Sequence, residues 1–467
     1  MKYSNASSLA FAFGLCLTCS PVFSGVTDHG ALRAGAARVD ITPPVNPEYP
    51  PSGKYTHERL YIRAIVLDNG VTRAALIGAD QAGLSEELWA TASRQIAEEL
   101  KCPVANVLMS ATHSHSAVPA GPPAAGPGRP PQQNAGPMVS AMMDAVRQAK
   151  ARLEPARVGF GTGFSFLNVN RDAVSDLSHL WTQAANLNAA SDKTVAVLTF
   201  TRSTGEPIAA YMNYAMHPIN GYLVGITSAD FAGAACRYVE QQFDDKMVMI
   251  FSQGASGDQN PLLLRPSTNA LASKSGVKIT GYELVRESVE APLRDGQVSH
   301  GKLDPKVADT LERWMESEGQ LLGEEAIRVM SNTRTTADVV MWGVQNMLTC
   351  PGRQRTNTGR EGAPGTYIDG DPVNIRLGVL GIGDTALASV DAEIYNLIAQ
   401  RMKKMSPMTN TVVVTLANGR ANSGYIPDDA SFGHLTFQVL SSRLKPGCAE
   451  QGIAGGLAGL VTQYAAK

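Results

Sequence analysis

Eight histidines occur in the 467-residue chain, and three of them stand where apolar, strand-like runs end. Val107–Ala111 leads into Thr112-His113-Ser114-His115-Ser116, and residues 208–215 lead into His217-Pro218. In α/β sheets, ligands gather at the carboxyl ends of strands. Imidazole is the commonest metal ligand, and an extended H-x-H turns both rings to one face. The pattern has two readings: a metal pair completed by a distant third histidine, or polar caps for neighbouring helix ends. His29, His57, His179, His300 and His434 lack such a context and read as surface residues. Glu393 follows the apolar run 386–390 and opens an expected helix. Beside two histidines it would complete a common zinc-hydrolase ligand set; read alone it is a first-turn carboxylate facing the helix dipole. Asp80 closes another strand, as an outer support of the site or a turn residue. Gly254-Ala255-Ser256-Gly257-Asp258 approaches a nucleophile elbow, but its fifth residue is Asp rather than Gly. Ser256 thus keeps a serine-hydrolase alternative open, and the amides of this turn could instead stabilise an oxyanion.

The elements that must position these residues alternate along the chain. Strands are expected at 60–67 and 73–78, joined by the turn Asp68-Asn69-Gly70 into a hairpin. A helix capped by Ser85 follows at 85–100. Further strands are expected at 195–200, 208–215, 247–252, 373–379, 386–390 and 412–417. Helices are expected at 138–153, 231–243, 309–330, 392–402 and, Gly/Ala-rich, 449–465. This alternation predicts an α/β protein: one large domain over 30–467, with mixed sheets flanked by helices and the metal site at strand ends. The Pro/Gly-rich loop 118–137, directly after the H-x-H, reads equally as a lid or a passive surface loop.

Composition narrows the function classes. There are 40 basic and 42 acidic residues, a formal net charge of −2, so no basic excess exists to neutralise phosphates and nucleic-acid binding is not expected. Met1-Lys2-Tyr3, an apolar stretch over 9–19 and the small residues near Ser24 predict a signal peptide over 1–24, hence export to a periplasm or the exterior. The stretch is too short to span a bilayer, and Thr18 before Cys19 is a poor lipobox. Cys16 and Cys19 would leave with the signal. Cys102, Cys236, Cys350 and Cys448 are too scattered for a zinc–thiolate site; they read as one or two disulfides or as buried thiols.

Taken together, these segments resemble the neutral/alkaline non-lysosomal ceramidase family. The resemblance is carried by Arg38-Val39-Asp40-Ile41-Thr42-Pro43-Pro44, by residues 75–83 (ALIGADQAG), and most specifically by residues 106–116 (NVLMSATHSHS). Asn170-Arg171, His217-Pro218, Ser228-Ala229-Asp230-Phe231-Ala232-Gly233, Gly257-Asp258 with Pro261, Ala392-Glu393, Asn418 and Gly424-Tyr425-Ile426-Pro427 follow in order. The resemblance implies one Zn2+ ion held by His113, His217, Glu393 and Tyr425. It further implies that His115 and Arg171 position or polarise the substrate, and that a metal-activated water attacks an N-acyl amide carbonyl. The implied substrate is small or lipid-like, with possible peripheral contact to a membrane surface. Three features depart from the family pattern. Asn260 stands where characterised members carry a Ser, a donor to an oxyanion rather than a nucleophile. Phe437 stands where they carry a second active-site Tyr. The chain also ends at Lys467, without the C-terminal β-sandwich domain. An ester or a non-ceramide amide is therefore an alternative substrate for the same site. A (β/α)₈ amidohydrolase fits the Glu393 and Tyr425 context poorly, and a non-catalytic secreted binding protein is the reading from a different class.

Overall fold

The computed structural model describes residues 30–45, 59–117, 135–176, 178–221, 226–264, 273, 303–357 and 362–465. The expected signal peptide and residues 118–134 of the expected lid loop lie outside them.

The first sheet contains β2 (Arg33–Asp40), β3 (Tyr61–Asp68), β4 (Arg73–Ala79), β5 (Val107–Ala111) and β6 (Glu154–Pro155), in the order β5-β4-β3-β2-β6; β1 (Gly30–Ala31) precedes it and pairs elsewhere. The β3–β4 hairpin closes as its turn residues dictate. Asp68 accepts from Gly70 N at 2.8 Å and Asn69 from Thr72 N at 2.9 Å, side chains mimicking backbone. β5 returns parallel to β4, which demands a crossover. The crossover is helix α1 (Glu86–Leu100), with Ser85 Oγ accepting from Leu88 N as its N-cap. Along β3 the side chains alternate with the period of two expected of a strand. Ile62, Ala64 and Val66 pack under α1 and α2 (Ala135–Ala151), while Ile65 and Leu67 face the opposite way into a second cluster.

That second cluster is the interior between two sheets. The other wall is β12-β11-β10-β7, made of β7 (Arg157–Phe164), β10 (Thr194–Thr201), β11 (Pro207–Tyr214) and β12 (Val248–Gln253). Leu76 and Ile65 meet Leu198, Tyr211 and Ile250 there. Gly78 lets the sheets approach: a Cβ at this position would come within 2.7 Å of the Ile250 side chain. Helices α3 (Asp230–Gln242) and α4 (Pro305–Asn332) cover the outer face of this wall. The order is helix, sheet, sheet, helix, so every sheet face is covered.

A third sheet, β15-β16-β17-β19, abuts this stack. It comprises β15 (Met341–Arg355), β16 (Tyr367–Ile382), β17 (Thr385–Val390) and β19 (Asn410–Val414), with α5 (Asn396–Met405) and α7 (Ala449–Ala465) packed upon it. A disulfide between Cys350 and Cys448 ties the tail to β15. Cys102 and Cys236 are free. Smaller pieces complete the set: β8 (Asn168–Val174), β9 (Trp181–Asn186) and β13 (Gln259–Pro261) form a three-stranded sheet, β14 (Asp338–Val339) pairs β1, and β18 (Glu393–Ile394) pairs β20 (Tyr425–Ile426). The one-turn helix α6 (Phe437–Ser441) precedes the tail. No described helix is long and apolar enough to cross a membrane.

The expected α/β class, mixed sheets and flanking helices are present. Several boundaries differ by a few residues, and one of these differences bears on the site. The helix expected over 392–402 begins at Asn396, and Glu393 lies in β18. Tyr425 and Ile426 hold residues 393–394 extended. The carboxylate serving the helix start is Asp258, which accepts from Asn396 N at 2.8 Å. Glu393 is thereby released from capping duty.

Candidate metal centre

Three strand ends deliver the predicted residues to one place. His113 follows β5, His217 follows β11 and Glu393 follows β17. His113 Nε2 lies 3.2 Å from His217 Nε2 and 3.3 Å from Glu393 Oε2, and His217 Nε2 lies 3.4 Å from the same oxygen. These atoms form a nearly equilateral triangle. Four donors about 2.0–2.1 Å from a tetrahedral zinc ion are separated by about 3.3–3.4 Å along each edge. The triangle has the dimensions of one face of that tetrahedron.

The protonation pattern fits as well. His113 Nδ1 lies 2.6 Å from Ala82 O, and His217 Nδ1 lies 3.0 Å from Gln259 O. Each carbonyl claims the Nδ1 proton and leaves Nε2 as a bare lone pair, as is usual for metal-ligating histidines. Burial pushes the His217 imidazole down to about 4, and Arg171 reinforces the shift. Burial acts against the Glu393 carboxylate, yet His113 and His217 hold the group well below the ordinary range. Glu393 Oε2 is buried with no hydrogen-bond donor. Two imidazole Nε2 atoms, each with its ring's Nδ1 facing a carbonyl, and a carboxylate oxygen without a donor, all aimed at one point, are the chemistry of a cation site.

His115 joins from the same loop, its Nε2 3.3 Å from His113 Nε2. The ligand atoms of His113, His115 and His217 all lie within 4.8 Å of one another. The shared face of the H-x-H does not arise from an extended strand, as expected. β5 stops at Ala111, and His113 adopts a left-handed backbone with φ 68°. Such a conformation costs a residue with a side chain about 1 kcal/mol or more, and is kept where surroundings over-determine it. Here His113 N bonds Gln81 O at 2.9 Å. Burial and the neighbouring His113 drive the His115 imidazole well below its usual value, so His115 too is a neutral base.

Tyr425 is placed by pairing rather than by proximity in sequence. In the parallel β18–β20 bridge Glu393 stands opposite Tyr425. Gly424, at φ 63°, makes the approach possible; a Cβ there would lie 2.4 Å from Ser441 O. The Tyr425 hydroxyl contacts Glu393 and Arg171, and burial together with Glu393 pushes the phenol above its ordinary range.

Arg171, 3% exposed, is fixed by Gly257 O at 2.6 Å and Asn260 Oδ1 at 3.1 Å. Its guanidinium lies over both the Tyr425 and Phe437 rings, 5.4 Å from each centroid. Because Asn260 Oδ1 accepts from Arg171, the amide keeps its Nδ2 donor for another partner. Phe437 meets Tyr425 edge-on at 5.5 Å between centroids. Ser256 is elsewhere engaged: its buried Oγ accepts from the Gln253 amide, not from an imidazole. Asp80 lies outside the triangle. It is 1% exposed, accepts from Tyr61 N and Arg63 at 2.8 Å each, and anchors the turn that presents Ala82 O to His113. The Ala82 and Gln259 carbonyls were not foreseen; a backbone carbonyl carries no residue-type signal.

Residues 35–323 match the family described as neutral/alkaline non-lysosomal ceramidase, N-terminal. Among solved structures, a ceramidase complexed with C2 is similar with a TM-score of 0.62 at 16% identity, over 92% of this chain and 74% of that one. The neutral ceramidase from Pseudomonas aeruginosa is similar with a TM-score of 0.59 at 15% identity, over 92% of this chain and 73% of that one. At these identities the likeness is one of fold, and the family match stands beside it: the chain belongs to the neutral/alkaline non-lysosomal ceramidase family.

Proposed function

We propose that the protein is a zinc-dependent hydrolase of N-acyl amides on lipid-like substrates, the reaction its family name describes. The observation that carries this reading is the triangle of His113 Nε2, His217 Nε2 and Glu393 Oε2, whose edges of 3.2–3.4 Å suit one tetrahedral ion. Tyr425, which faces Glu393, is the proposed fourth donor. Bound there, zinc supplies Lewis acidity to a carbonyl oxygen and makes water acidic near neutral pH. The protein's own groups have separable tasks. His115, neutral at physiological pH, accepts or returns a proton beside the reacting carbon. Arg171 and the Asn260 amide offer donors to the developing oxyanion. In net terms the C–N bond breaks, a C–O bond forms with water, and the proton leaves on the amine. The disulfide supports the reading of an exported chain, with 1–24 as its signal and 30–467 as its catalytic unit.

Metal analysis of the purified protein beside His113→Ala and His217→Ala, followed by an amide and ester panel, tests the reading. One zinc per chain, lost in both variants together with amide turnover, is expected. Variants that retain zinc, or a parent that cleaves esters alone, refute it.

A further inference from the structure

A groove of about 1210 Å³ lies against the third sheet and shares the Phe437 side chain with the proposed active site. Its walls come from the same segments that build the site: Glu86 follows the turn that holds His113, Asp391 precedes Glu393, residues 420–422 precede Tyr425, and residues 440–443 follow Phe437. Five arginines line it: Arg353, Arg355, Arg376, Arg420 and Arg443. Only three carboxylates accompany them, in a chain whose overall formal charge is −2.

Pairing sharpens the imbalance. Arg376 absorbs two of the acids: it reaches Glu86 at 2.6 Å and Asp391 at 3.5 Å. It is also stacked 3.6 Å from the Trp89 ring. Arg353 spends its donors on the Ser442 and Val439 carbonyls and lies between the Tyr367 and Phe432 rings. Arg353 has no ion-pair partner among the described residues, and Asp371 is the one groove carboxylate that Arg376 does not engage. Arg420 and Arg443 have no ion-pair partner among the described residues. A concave wall on which Arg420 and Arg443 carry guanidinium forks without an ion-pair partner among the described residues favours a planar or tetrahedral oxyanion, which arginine binds with two parallel hydrogen bonds.

The geometry points to an oxyanion-binding subsite formed by Arg420 and Arg443, which selects amide substrates carrying a sulfonate, phosphate or carboxylate group. This rests on the proposed amidase reading and narrows it: neutral ceramide would leave these arginines unused, whereas an acidic headgroup would occupy them while the amide lies on the far side of Phe437.

The test compares N-dodecanoyltaurine with N-dodecanoylethanolamine, which differ in a sulfonate against a hydroxyl. The wild type is expected to favour the taurine amide in kcat/KM by about tenfold or more, the effect of one charge-assisted contact. Arg420→Gln/Arg443→Gln, with circular dichroism confirming its fold, should lower that ratio about tenfold. Equal kcat/KM for the two amides, or a ratio the variant leaves unchanged, overturns the inference while the amidase reading stands. If neither amide is cleaved, the amidase reading fails. Calorimetric binding of the same two compounds then decides the subsite: tighter binding of the taurine amide, lost in the variant, upholds it, and indifference overturns it. Inorganic phosphate forms a separate arm. Variant-sensitive phosphate binding without discrimination between the amides would mark a free-anion site and overturn the assignment to substrate.

Discussion

Replacing Arg63 by Met is the most demanding test of how the site is held. Arg63, its side chain 4% exposed, lies between Asp80 at 2.8 Å and Glu240 at 3.2 Å, each 1% exposed. Removing the cation strands two buried carboxylates, and breaking a buried pair from one side costs about 3–5 kcal/mol. Both acids retain part of their support. Glu240 keeps Arg38 and Met249 N, and Asp80 keeps Tyr61 N. The expected loss therefore lies near the lower bound, about 3 kcal/mol. The triple variant Arg63→Met/Asp80→Asn/Glu240→Gln removes all three charges and should recover most of it, because hydrogen-bonded neutral groups are cheaper to bury than unpaired ions. Urea titration followed by tryptophan fluorescence reads both. The second readout is metal. Asp80 anchors the turn whose Ala82 carbonyl holds His113 Nδ1, and loosening such outer partners typically weakens metal binding about 10–100-fold. The single variant should therefore lose zinc affinity in competition with a chelator. A stability loss below about 1 kcal/mol, or a triple variant no more stable than the single, refutes this account.

Opening the Cys350–Cys448 bridge, whose sequence separation is 98, should destabilise the protein by about 4–5 kcal/mol through the loop entropy released to the unfolded chain; a Cys350→Ser/Cys448→Ser variant with an unchanged urea midpoint contradicts this. Ser256→Ala should leave amide turnover within about twofold, since its hydroxyl is bound to Gln253; loss of turnover in a folded variant would return the serine-hydrolase reading. Burial raises the Asp258 carboxyl to about 7. The folded state thus binds this proton more tightly than the unfolded chain does. Its contribution is complete below the unfolded value near 4 and is lost as pH rises through 7, at up to about 1.4 kcal/mol per pH unit. Asp258→Asn should flatten that slope in urea midpoints measured from pH 4.5 to 7.5, and an identical slope would show that other groups set it.

What was legible in the sequence follows from how local each signal is. The β3–β4 hairpin, the Ser85 cap, β5 and the tail helix rest on turn chemistry and periodicity within a few residues, and they stand where expected. His113 and His217 were visible because each is a polar residue at the end of an apolar run. Glu393 was visible as a residue but not in its setting, since its partner Tyr425 lies 32 positions away in the chain and its helix is served instead by Asp258. Arg63, Asp80 and Glu240 could not be joined from sequence, because ion pairs between a strand, a turn and a helix 17 and 177 positions apart have no spacing to read. The lone glutamate at 240 on an otherwise apolar helix face was the available hint.

The β18–β20 bridge sets an order on biosynthesis. Glu393 and Tyr425 are the last of the proposed donors to be made, and Tyr425 is residue 425 of 467. A nascent chain, however well its first sheets have folded, holds only His113 and His217 until the third sheet emerges and the bridge closes. A shift of this pairing by one residue would put Glu393 and Tyr425 on opposite faces. Assembly of the full proposed donor set would then come after completion of the fold, so that a truncated or misregistered chain would hold the three histidines without the carboxylate and phenol.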